Sequence, residues 1–229
     1  GIAATVAIII STFSFISNSS ETIKNDDLPP ASLIQTGTDK AVLTLADGSN
    51  IELIKGESYT TESARSNGKE IVYSSTLAKK EVAYNYLTTP RGGQYFVKLS
   101  DDTQIWLNSE SQLKYPINFI EGEARKVELL YGEAYFDVSP STLHNGSKFI
   151  VYNQSQEIEV LGTEFNIKAY KDESSLLTTL VEGKVAIHAM NNTSFLTPNQ
   201  QLKLDVINNS TVISEVDVYR EISWKDGVF

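Results

Sequence analysis

The chain has 229 residues, 41% of them hydrophobic, with 19 Lys+Arg against 29 Asp+Glu and a formal net charge of −10. That length suits one large domain or two modest ones, with enough apolar content for a core and too much for a disordered chain. The acidic balance argues against nucleic-acid phosphates or an anionic membrane surface as electrostatic partners. The absence of cysteine excludes disulfides, thiolate metal sites and a cysteine nucleophile.

Residues 2–16 are apolar and uncharged, with Val6, Ile8, Ile9, Ile10, Phe13, Phe15 and Ile16 among them. A bilayer-spanning helix takes about 20 such residues. Segment 1–16 therefore reads as a clipped membrane-span remnant, the alternatives being a signal-peptide core and a buried strand or helix. A signal peptide would begin with methionine and a basic stretch, and neither is present. Residues 17–40, rich in Asn, Ser and Asp and holding Pro29-Pro30, offer too little apolar surface to offset ordering and read as a polar tether.

Segment 41–85 is an N-terminal strand region. Leu43, Leu45, Ile51 and Leu53 alternate around Asp47-Gly48, which predicts a hairpin. Asn67-Gly68 before Ile71-Val72-Tyr73 predicts another turn and short strand, and residues 78–82 a helical turn. Segment 86–215 is the main β-domain. Tyr95, Val97 and Leu99 alternate up to Asp101-Asp102, and Ile105 and Leu107 resume beyond it, with Trp106 on the other face. Val127 and Leu129, then Ala134, Phe136 and Val138, predict a hairpin about Tyr131-Gly132-Glu133. Further strands follow at Phe149–Tyr152, around Ile158 and Val160 beyond the Asn153-Gln154-Ser155-Gln156 turn, and around Phe165, Ile167 and Ala169. Thr179 and Val181 are expected to face Val185 and Ile187 across Glu182-Gly183. Leu202, Leu204 and Val206 turn at Asn208-Asn209 into Val212 and Ile213. Only segment 216–229, with Val218, Ile222 and Trp224, is mildly helical; it reads as a linker.

The strands echo one another. Leu43-Thr44-Leu45-Ala46-Asp47-Gly48 parallels Val97-Lys98-Leu99-Ser100-Asp101-Asp102, and Gly56-Glu57-Ser58-Tyr59 parallels Gly132-Glu133-Ala134-Tyr135 and, more loosely, Glu182-Gly183-Lys184-Val185. The fold class is all-β: a two-sheet sandwich or a solenoid-like roll of short hairpins, with little helix apart from a C-terminal turn and the N-terminal apolar segment.

Candidate chemistry is sparse. His144 and His188 show no metal-ligand spacing, and a site there would need carboxylates brought in by the fold. Asp101-Asp102 and Asp47-Gly48 lack the regular oxygen spacing of a calcium loop and suit turn capping. Glu121, Glu123, Glu128 and Glu133 lie in or beside strands, and nothing in the sequence marks one as desolvated. No nucleophile elbow or phosphate loop is present. Trp106, Trp224 and the 11 tyrosines suit either a packed β-core or the stacking face of a carbohydrate-binding module. Arg91 suits an ion pair near the Gly92-Gly93 turn. No catalytic, cofactor-binding or metal-ligating residue is assigned, no cofactor is expected, and partner-binding residues stay unknown.

Five blocks resemble the FecR family: Thr-Pro-Arg-Gly-Gly-Gln-Tyr (89–95), Ile-Trp-Leu-Asn-Ser-Glu-Ser (105–111), Gly-Glu-Ala-Tyr-Phe-Asp-Val (132–138), Val-Leu-Gly-Thr-Glu-Phe-Asn-Ile (160–167) and Trp224-Lys225-Asp226-Gly227. The resemblance runs from about Val42 to the C-terminus. It implies a non-enzymatic anti-sigma factor in transcription regulation: a periplasmic β-domain held in the inner membrane by a single N-terminal helix. An extracytoplasmic-function sigma factor would be bound by an N-terminal domain ahead of this segment. The signalling domain of a TonB-dependent outer-membrane transporter would be met by a C-terminal domain beyond it. Cell-surface signalling of this kind needs no nucleic-acid contact by the chain. The alternative is a carbohydrate-binding β-sandwich module of the cell envelope.

Overall fold

A computed structural model describes residues 38–74 and 82–228. The apolar segment 1–16 and nearly all of the tether lie outside the described residues, as does the helical turn expected at 78–82 except its last residue. The described chain is strand upon strand: β1 (Thr38–Thr44), β2 (Asn50–Ile54), β3 (Tyr59–Thr60), β4 (Ala64–Ser66), β5 (Glu70–Tyr73), β6 (Tyr84–Thr89), β7 (Gly93–Lys98), β8 (Gln104–Leu107), β9 (Ser111–Pro116), β10 (Arg125–Asp137), β11 (Phe149–Asn153), β12 (Gln156–Val160), β13 (Glu164–Ala169), β14 (Ser175–Glu182), β15 (Val185–Ala189), β16 (Asn192–Leu196), β17 (Gln200–Asp205) and β18 (Ser210–Glu215). A short helix α1 (Val218–Ile222) and a 3₁₀ turn (Ser223–Asp226) follow.

Backbone pairing sorts these strands into two sheets. The first runs β2-β1-β6-β9-β10-β11-β12-β15-β16. The second runs β3-β4-β5-β7-β8-β10-β13-β14-β17-β18. Each short strand is apolar on one face, so a hairpin in one sheet needs cover from the other. The core lies between them: Leu43, Leu87, Leu113, Leu129, Val151 and Ile187 from the first meet Ile71, Val97, Ile105, Phe136, Ile167 and Leu202 from the second in one cluster. After β10 the hairpins alternate: β11–β12 in the first sheet, β13–β14 in the second, β15–β16 in the first, β17–β18 in the second. The all-β expectation therefore holds, as a two-layer roll of hairpins.

Two expected hairpins are crossings instead. The stretch about Gly132 does not reverse; β10 is one 13-residue strand that leaves the first sheet and enters the second. Its inward-facing set changes from Val127 and Leu129 to Ala134 and Phe136, odd numbers to even, and a register shift between Leu129 and Tyr131 supplies the extra residue. Gly132 sits at this corner with φ +92°, and a Cβ there would lie 2.2 Å from Ser111 Oγ. Glu182-Gly183 is likewise a crossing. β14 pairs with β13 and β17, and β15 with β12 and β16, so Val181 and Val185 belong to different sheets. Several strands were not foreseen, among them β4, β6, β9 and β16; β16 pairs with β15 across Met190-Asn191, whose φ values of +53° and +62° make a tight reversal without the usual glycine.

Candidate functional site: a closed corner on the outer face of the second sheet

Strand alternation puts one residue of each successive strand in a row on the outer face of the second sheet. Phe96, Trp106, Tyr135, Asn166, Thr179 and Gln201 are directly opposite one another from β7 to β17. The row is aromatic at one end and polar at the other. Phe96 and Trp106 have ring centroids 4.8 Å apart, and Trp106 and Tyr135 meet edge-on at 5.7 Å.

The C-terminal strap lies over this row. Lys225 Nζ stands 4.9 Å from the ring centres of both Trp106 and Tyr135. Gln94 Nε2 donates to the Trp224 carbonyl at 3.2 Å, and Gln201 Nε2 to Glu221 Oε2 at 2.8 Å. Trp224 is buried. Trp106 was expected either in the inter-sheet core or in an open sugar-stacking groove. It is in neither, since its outward position is covered by Lys225.

Beside the row sits Glu133, one of the four acids noted in the sequence and the one that is 7% exposed. Its Oε1 accepts from Asn166 Nδ2 at 2.9 Å and its Oε2 from Asn108 Nδ2 at 2.8 Å. Burial pushes its carboxyl above the usual range, and the two amides offset part of that rise. Glu133 N donates to Ser111 Oγ at 2.8 Å, and Asn108 N to the Glu133 carbonyl at 2.9 Å. Thr89 Oγ1 donates to the Asn108 carbonyl at 2.5 Å, and Gly92 N to Ser109 Oγ at 2.7 Å. Gln94 Nε2 also reaches Asn108 Oδ1 at 3.3 Å. Tyr135 donates its hydroxyl to Glu164, and burial with that contact raises its pKa strongly. Burial and the neighbouring Glu164 raise the Asp137 carboxyl too. All five sequence blocks singled out above thus meet at one corner, although they span residues 89 to 227.

Comparison with known proteins agrees. Residues 85–186 match the family model described as FecR protein. That segment, somewhat less than half of the chain, is similar to the FecR family. Two crystal structures of a candidate anti-sigma factor from Parabacteroides distasonis ATCC 8503, at 2.50 and 1.65 Å resolution, share the fold with TM-scores of 0.59 and 0.58 at 28% and 29% identity. The matches cover 63% and 62% of this chain, and 65% of each neighbour, so the chain spans just under two thirds of their length. A search of curated proteins finds no match.

Within the matched segment the fold also builds a buried ion pair that sequence reasoning missed. Arg125 Nη1 donates to Asp101 Oδ2 at 2.7 Å, with side chains 2% and 4% exposed. Arg125 Nη2 reaches the Ser147 carbonyl at 3.1 Å, and the guanidinium stacks 5.4 Å from the Phe149 ring centre. Asp101 does cap its turn as expected, accepting from Thr103 N at 3.1 Å and Thr103 Oγ1 at 2.7 Å. Arg91, the arginine expected to be paired, makes no ion pair among the described residues, where Arg125 does.

The two histidines are not brought together. His144 Nε2 and Ser139 Oγ are 2.8 Å apart. His188 Nδ1 meets Thr193 Oγ1 at 2.9 Å, and the fold brings Glu157 and Glu159 to within 4.8 Å of it. Glu159 is already held by Lys148 at 2.5 Å.

Proposed function

We propose that this chain is the periplasmic relay of a FecR-like anti-sigma factor. In this reading residues 1–16 are the end of an inner-membrane helix that anchors it. It passes a signal from a TonB-dependent transporter to an extracytoplasmic-function sigma factor and performs no chemistry of its own. The observation that carries the reading is the convergence of all five FecR-like blocks on the Glu133 corner under the C-terminal strap. There the polar and aromatic side chains of those blocks are spent on internal contacts. Both Glu133 carboxylate oxygens are taken by asparagine amides, and Trp106 and Tyr135 are covered by Lys225. Buried groups satisfied in this way fix shape and couple segments; they do not present a reactive group. The similarity to candidate anti-sigma factors supports the regulatory role. The carbohydrate-binding alternative needs an open aromatic groove, and the aromatic row lies under the strap.

A reporter fused to the sigma-dependent promoter tests this in the native host. Deleting the gene should change basal transcription, and removing the transporter's signalling domain should abolish its response to the transported ligand. Transcription indifferent to both deletions would refute the proposal.

A further inference from the structure

The last strand of the second sheet, β18, is bonded on one side only. It pairs with β17 over six consecutive residues, from Asp205↔Ser210 to Gln200↔Glu215, without a register break. No further pairing of β18 occurs among the described residues. All six residues are exposed, Val212 by 59% and Ile213 by 42%.

Sheet edges are usually blunted by brevity, charge, proline or a bulge, because their free N–H and C=O groups accept another strand. Two of the other three edges follow the rule, while β16 (Asn-Thr-Ser-Phe-Leu) carries no charge. β3 is two residues long, and β2 carries Glu52 and is followed by Lys55, which faces Asp39 at 3.9 Å. β18 carries one of these devices, the charge of Glu215 at its last position. Ser210-Thr211-Val212-Ile213-Ser214 contains no charge, no proline and no bulge, in a chain of net charge −10.

We propose that β18 pairs antiparallel with β18 of a second copy of this chain, about a two-fold axis at Val212. A two-fold interface must be self-complementary, and opposed residues in an antiparallel pair must share a face, so the sum of their numbers is even. Centred on Val212, Val212 faces Val212 of the second copy, Thr211 faces Ile213, and Ser210 faces Ser214. β-Branched residues then meet β-branched residues, hydroxyls meet hydroxyls, and Glu215 falls opposite the amide of Asn209. Centring on Ile213 instead sets Val212 against Ser214 and Glu215 against Thr211, a poorer match. The second sheet would run continuously through both copies.

The full chain has no cysteine, so a single introduced thiol reports the register directly. Opposed Cα atoms in an antiparallel pair are about 4.5–5.5 Å apart, within the roughly 4.4–6.8 Å that a disulfide spans. Val212→Cys should therefore cross-link to a covalent dimer under mild oxidation, many-fold faster than Ile207→Cys, a control that is 76% exposed. Light scattering on the detergent-solubilised chain should give a dimer mass, and Val212→Lys should give a monomer with an unchanged melting temperature. A monomeric wild-type chain, or equal cross-linking of the two cysteine variants, would overturn the proposal. Because the cysteine experiment stands alone, a Val212→Lys variant that fails to fold would not shield it.

Discussion

The stretches 43–53 and 97–107 share one pattern, as do 56–59 and 132–135, and their turns fold locally in the same way. In both turns the first leucine donates its N–H to the carbonyl four residues on, Leu45 to Ser49 and Leu99 to Thr103, each at 2.9 Å. In both, the aspartate accepts from the residue two places later, Asp47 from Ser49 N at 2.9 Å and Asp101 from Thr103 N at 3.1 Å. Gly56 and Gly132 share a φ of +92°. Their surroundings differ completely. Asp47 is exposed while Asp101 is buried against Arg125. Gly56 faces open space while Gly132 presses on Ser111. The first copy occupies the outer edges of the two sheets, as β2 and β3, and the second their middle, as β8 and β10. Local sequence sets the turn; position in the sheet sets what the turn is worth.

The comparison can be broken or sharpened by substitution. Removing Asp101 (Asp101→Ala) strands a buried guanidinium and should cost about 3–5 kcal/mol, read by urea unfolding followed through tryptophan fluorescence. The matching Asp47→Ala should leave the urea midpoint almost unmoved, since its carboxylate is in water. Adding Arg125→Met to Asp101→Ala should recover part of the loss, because the uncompensated charge goes with it. Equal effects at Asp47 and Asp101 would mean that the pair is not buried in solution.

Next in size, Gly132→Val combines a strained φ with overlap against Ser111 and should cost roughly 2–5 kcal/mol. Gly56→Val suffers the strain alone, about 1–2 kcal/mol. Thermal melts of the two variants give the difference, which is the contribution of the corner itself. Equal melting would contradict the close approach of Ser111.

Smaller effects follow at the strap. Lys225→Ala removes one cation from two rings and should cost about 0.5–1 kcal/mol. It should also redden tryptophan emission and speed proteolysis within residues 218–228. Last is pH. The Glu133 carboxyl titrates above its unfolded value of 4.5 because burial disfavours its charge. The stability it confers is therefore full below that value and declines as pH rises through the folded pKa. Glu133→Gln should flatten the fall in melting temperature above pH 4.5 while leaving lower pH little changed. An identical pH profile would show that Glu133 is solvated.

Much of this was legible from period and turn chemistry. The Tyr95–Leu107 hairpin came from alternation about Asp101-Asp102, and its register places Val97 opposite Ile105 and Phe96 opposite Trp106. Arg125 was legible but passed over. It shares odd parity with Val127 and Leu129, and a strand carries every second residue to the same face, so it had to point inward. Glu133 gave no such signal, because it is buried on the outer face among side chains from other segments, Asn108 and Asn166 on its carboxylate. Gly132 and Gly183 looked like hairpin turns because a positive φ serves a reversal and a crossing equally well.

By itself the sequence determined the class, most of the strands and the five blocks that resemble the FecR family, because side-chain alternation, turn residues and motif order are local properties. Only the tertiary structure decided that these blocks share a corner, that Asp101 meets Arg125 rather than water, and that Trp106 lies beneath Lys225. Burial and charge pairing depend on which distant strands become neighbours, and no local pattern along the chain encodes that.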